Sequence, residues 1–186
     1  MSDYIYIVTS LPRSGTTSLC AMASILGLKP MHVLQKNMSE CIGEGYNFFA
    51  DTPFYSPEFL IGILNFYKNI KFIYLERSLE KIKNSFENTI LKDYFKSYFS
   101  YPVGKPLLFQ DSIFYQSIHN CSNFLQNHKQ YIEDISKNYN VDTLFYKFED
   151  GWEPLCKFLE IDKVPNFKIP HLNKSPKIGE IYLSQK

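Results

Sequence analysis

The chain has 186 residues, 45% of them apolar and 21% charged, with a formal net charge of +1. That length supports one buried core in a globular domain. The near-neutral charge argues against a broad nucleic-acid or membrane-surface footprint.

Residues Tyr4–Val8 predict a first strand, entered directly from a short start, "MSDYIYIVTS", that is too aromatic for a signal peptide. Leu19, Met22, Ala23 and Leu26 then recur at helical spacing, and Gly27 stands where a left-handed residue ends a helix. Leu60, Ile63, Leu64 and Tyr67 predict a second helix after Pro57. "KFIYLE" reads as a strand buried on both faces of a parallel sheet. Leu79, Ile82, Phe86 and Ile90 mark another helix, residues 122–139 a long one, 143–148 a strand, and Trp152, Leu155, Cys156 and Leu159 a last short helix. Alternation from end to end predicts an α/β fold with a parallel sheet and right-handed crossovers, in a single domain over residues 1–186. Residues 92–121 read as a loop region able to cover an active site, and the turn-rich tail as an irregular strap. Cys20, Cys41, Cys121 and Cys156 lie far apart, which predicts buried free thiols in a reducing compartment. No segment approaches the roughly 20 apolar residues of a membrane span, so a soluble, cytoplasmic protein is expected.

Chemistry enters at "TSLPRSGTTSL", residues 9–19. The stretch follows a strand, opens a helix, and has the layout of a phosphate-binding loop. Laid on G-x-x-x-x-G-K-[ST], it puts Ser10 and Gly15 at the glycines, Thr16 at the lysine and Thr17 at the hydroxyl. The helix start remains suited to an anion, through its backbone N–H groups and its dipole. The cation has moved to Arg13, inside the loop. An NTPase is disfavoured, because only Asp51 offers itself as the acidic partner for a magnesium ion. The plainer alternative is a hydroxyl-rich turn with Ser or Thr capping. A second grip follows the central strand: Arg77 at its carboxyl end and Ser85 eight residues on suit a second phosphate, against the alternative of a surface pair with Glu76 or Glu80.

"LPRSGTTSL" together with "YLERSLEKIKNS" resembles the P-loop sulfotransferases, and "GWEPLCKFLEIDKVPNFKIPHLN" and "LGLKPMHV" are similar to a short branch of them. The resemblance implies a three-layer P-loop-type α/β fold and 3′-phosphoadenosine 5′-phosphosulfate (PAPS) as co-substrate, with no metal. It also implies that Arg13, Ser14, Gly15, Thr16, Thr17 and Ser18 contact the 5′-phosphosulfate end, and that Arg77 and Ser85 contact the 3′-phosphate. Many members carry a base two residues before a proline; Asp51 before Pro53 holds that position, with Glu44 and His32 in reserve. A turn or N-cap role is the alternative for Asp51, and a surface role for His119.

Three departures stand beside the resemblance. Ser18 replaces the aromatic residue that stacks on adenine, Phe49 replaces a lysine, and the glycine-rich C-terminal segment of larger members is absent, with Lys174 or Ser175 of "HLNKS" as substitutes. Two other classes therefore stay open: a non-catalytic module that binds PAPS or adenosine 3′,5′-bisphosphate, and a divergent P-loop kinase. The acceptor is not specified.

Overall fold

A computed structural model of the chain describes residues 4–90 and 123–170, the side chains of 86–90 excepted. These fall into two compact units, residues 4–76 with 129–170 and residues 77–90 with 123–128. In chain order the elements are β1 (Ile5–Val8), α1 (Thr16–Ile25), β2 (Pro30–His32), α2 (Met38–Gly43), β3 (Phe48–Ala50), α3 (Pro57–Leu64), β4 (Ile70–Leu75), α4 (Leu79–Ile90), α5 (Phe124–Tyr139), β5 (Thr143–Tyr146) and α6 (Trp152–Phe158).

The larger unit is built on a five-stranded sheet in the order β2-β3-β1-β4-β5. All pairings are parallel, with Tyr6 opposite Phe48 on one side and Lys71 on the other. From β1 the chain runs outward to β2, returns to β3, then crosses to β4 and β5. Its progress reverses at β1, and in such sheets a crevice forms beyond the carboxyl ends of the strands at the reversal. The fold is thus α/β with a parallel sheet flanked by helices, as the alternation predicts.

Period-two burial divides the core in two. Tyr6, Val8, Phe48, Ala50, Ile73 and Leu75 pack with Leu19, Met22, Trp152 and Leu155 from α1 and α6. Ile7, Phe49, Phe72 and Tyr74 pack with residues of α2, α3 and α5, including Cys41, Leu60 and Ile132. Each fully buried Leu or Met contributes about 1.5–3 kcal/mol relative to exposure, so the Leu19–Met22 stripe alone anchors α1 to the sheet. That helix ends as its sequence predicts: Gly27 has φ 83°, its N–H donates to Ser24 O, and the Leu28 N–H donates to Ala23 O.

Every residue of β4 is buried, including one charge: Lys71 pairs with Glu160 at 2.6 Å under the Tyr4 ring. Cys20, Cys41 and Cys156 are free and buried, as expected of them. The tail is irregular as far as residue 170, where Phe167 O accepts from Trp152 Nε1 at 2.7 Å. The expected covering loop over 92–121, with His119 and Cys121, lies outside the described residues, as do Lys174 and Ser175. No helix among the described residues is long and apolar enough to cross a membrane.

Candidate functional site

The loop after β1 is tied to the sheet before it turns. Thr9 N–H donates to Ile73 O at 3.0 Å, and Ser10 Oγ accepts from the Leu75 N–H. Arg13 then takes a left-handed φ of 67°, and Gly15, at the N-cap of α1, takes 116°. Gly15 is needed for a second reason: a Cβ there would lie 2.6 Å from Phe148 Cε2, so the missing side chain lets that ring rest on the loop. No side chain caps α1, and its first turn has no acidic residue. The hydroxyls of Thr9 and Ser14 are buried and hydrogen-bond to nothing among the described residues. An uncapped helix start, a loop arginine and two buried hydroxyls without partners are the donor set an anion completes.

One group in this neighbourhood is itself an anion. Thr16 Oγ1 donates to Asp51 Oδ2 at 2.9 Å, and His32 Nε2 lies 3.2 Å from the same carboxylate oxygen. The ring nitrogen is also 3.0 Å from Thr16 Oγ1 and 3.2 Å from Thr17 Oγ1. The other oxygen, Oδ1, accepts from the Thr52 N–H at 2.9 Å. Thr16 has a single proton and gives it to Asp51, so its oxygen accepts from His32 Nε2. The hydrogen-bond network therefore assigns the proton to Nε2 and leaves the lone pair of the neutral ring on Nδ1. Burial pushes the Asp51 carboxyl up, but the hydrogen bond and charge of His32, with the Thr16 and Thr52 donors, outweigh it and hold the group below its ordinary value. Asp51 is thus ionised at neutral pH. The His32 side chain is the more open of the two, 37% exposed against 16%.

Backbone geometry fixes this pair from both sides. His32 ends β2 and Asp51 follows β3, and the turns beyond them are joined by Val33 N–H to Ala50 O and Leu34 N–H to Thr52 O, both 3.0 Å. Val33 and Asp51 each have positive φ, 79° and 69°. Such angles in non-glycine residues cost of order 1–3 kcal/mol and persist where surrounding structure imposes them.

The structure thus brings Asp51, Thr16, Thr17 and His32 together. Asp51 is a turn residue, its carbonyl accepting from Phe54 N–H, and it does not cap α3; Ser56 does. Glu44 is elsewhere, paired with Lys36 at the exposed end of α2. Ser18 is buried, and Phe49 is a core residue with no exposure. In the smaller unit, Ser78 Oγ accepts from Lys81 N–H at the start of α4, so Arg77 stands just before the cap and Ser85 in the second turn. Periodicity did not single out Phe148, and no motif marks its approach to Gly15. Among the described residues no group of three or more His, Cys, Asp or Glu is placed to hold a metal.

A family model, described as a sulfotransferase domain, matches residues 34–178. The match takes in Asp51, Arg77 and Ser85 and begins beyond the loop and His32. No curated protein matches the chain significantly.

Proposed function

The chain belongs to the sulfotransferase-domain family, and from that premise we propose that it is a PAPS-dependent sulfotransferase of the three-layer P-loop type. PAPS supplies an activated sulfuryl group for transfer to a hydroxyl or amine. The observation that carries this reading is the loop itself. It joins a cation, an uncapped helix start and two buried unpartnered hydroxyls on the strand where the sheet order reverses.

Arg13, Ser14, Gly15, Thr16, Thr17 and Ser18 hold the 5′-phosphosulfate end, where fixed donors stabilise charge that grows on the phosphate as the sulfuryl group leaves. Arg77 and Ser85 hold the 3′-phosphate, the arginine through its planar fork. Asp51, with His32 against it, receives the proton of the acceptor group. Sulfuryl transfer between oxygens proceeds on positioning and charge stabilisation, which this chain's donors supply.

The test is calorimetry with adenosine 3′,5′-bisphosphate, the nucleotide left after transfer. Wild type is expected to bind it, and Arg77→Ala to lose that binding; no binding at millimolar ligand overturns the reading. A second reading, a module that binds the nucleotide without transferring from it, is favoured by Phe49. A fully buried core ring occupies the position where the resemblance puts a lysine. Transfer of radiolabelled sulfate from PAPS to any acceptor in a pooled extract would exclude that second reading.

A further inference from the structure

A loop built for an anion has a carboxylate at its back. Asp51 Oδ2 and the proposed ligand share one hydroxyl, that of Thr16, which stands 2.9 Å from the carboxylate and has its only proton committed there. A ligand phosphate accepting at Thr16 would place two negative charges on either side of one oxygen, in surroundings that water screens poorly. Something must offset the carboxylate when the anion arrives.

The group in position to do so is His32. It is the only cation-forming side chain paired with Asp51 among the described residues, and imidazole gains its charge near neutral pH. The other groups around the pair do not compete for the proton. Thr16 and Thr17 of α1 are uncharged, and the Cys20 thiol on the same helix, pushed up to about 12 by burial and by Asp51, stays neutral. Arg13 in the loop is charged in every state, and Lys36 and Glu44 beyond β2 pair with each other. Nε2 is already engaged with Thr16 and Asp51, so an incoming proton enters at Nδ1. That atom has no hydrogen bond among the described residues, on a side chain exposed enough for water to reach it.

We infer that the loop takes its anionic ligand together with one proton, which rests on His32, so that imidazolium and Asp51 form a neutral pair behind the bound phosphate. The inference rests on the reading that this loop holds the 5′ end of the nucleotide. Extended to transfer, it also balances. As the acceptor oxygen bonds to sulfur, its proton passes to His32, and the electron pair of the broken sulfur–oxygen bond stays on the phosphate. The loop gains one negative charge while the ring gains one positive charge.

The test follows the imidazole Cε1–H resonances of the full chain against pH, with and without saturating adenosine 3′,5′-bisphosphate. The His32 signal is identified by its absence in His32→Gln, or from the wild-type backbone assignment should that variant not fold. The midpoint of His32 is expected to rise by about one unit on binding. Wild-type affinity is correspondingly expected to fall about tenfold from pH 6 to pH 8.5 beyond any change seen in His32→Gln, which carries only the titration of the ligand's own phosphates. Bisphosphate that binds, as other resonances report, while the His32 midpoint stays in place overturns the inference and leaves the donor reading standing. Absence of binding across the pH range overturns both.

Discussion

Helix α3 begins on Ser56, whose hydroxyl accepts from the Phe59 N–H, with Pro57 in its first turn and Glu58 beside it. Helix α1 begins on Gly15, with no side-chain cap and no acid in its first turn. Both carry the same orphan N–H groups, as every helix does. The α3 sequence satisfies its own, and nothing there is left for a ligand. At α1 the capping position is given to a glycine held at φ 116° under the Phe148 ring, and the nearby buried hydroxyls of Thr9 and Ser14 hydrogen-bond to no protein group among the described residues. One helix start is finished by the chain; the other is arranged so that something else finishes it.

Substitutions sharpen that contrast. The largest effect is expected from Gly15→Ala, which meets both an unfavourable φ and the Phe148 ring; denaturant unfolding should show a loss of about 3 kcal/mol. Adding Phe148→Ala should restore only the part due to the clash. Next comes Asp51→Asn, which leaves His32 and Thr16 without their ionised partner, at a cost of about 2 kcal/mol at pH 7. Its pH dependence has a definite sign. The carboxyl is held below its ordinary 3.8, so its contribution is whole above that value and is lost as pH falls through the lower folded value. Wild type should therefore weaken in acid below about pH 4, and Asp51→Asn should lack that part of the slope. At the finished helix, Ser56→Ala should cost about 1 kcal/mol and leave bisphosphate affinity unchanged; a drop in affinity would break the comparison. Smallest is Glu58→Gln, about 0.5 kcal/mol through the lost helix-end charge, read from the same unfolding curves.

Legibility in the sequence followed the length of the pattern. "KFIYLE" and the α1 stripe carry enough periodic apolar residues to reveal strand and helix, and Gly27 marks the helix end by itself. Residues 30–50 hold β2, α2 and β3, and none of these was legible. Two three-residue strands and a six-residue helix are too short for a period to emerge. Lys71 escaped notice because a run of apolar neighbours reads as a strand whatever one member carries. The loop was legible because its chemistry is local. Asp51 was visible only through its spacing from Pro53, and its meeting with His32 depends on β2 and β3 lying side by side. That pairing is a tertiary fact that no local pattern encodes.

Lys71 carries a consequence for how the sheet assembles. It shares a face of β4 with Ile73 and Leu75, where Glu160 meets its ammonium. A shift of β4 by one residue against β1 would turn that ammonium to the opposite side, among Ile132, Leu60 and their neighbours. An unpaired charge buried there is far costlier than a misplaced isoleucine. A single lysine in an otherwise greasy segment thus acts as an alignment key, permitting one way of threading the central strand and penalising its nearest mistake.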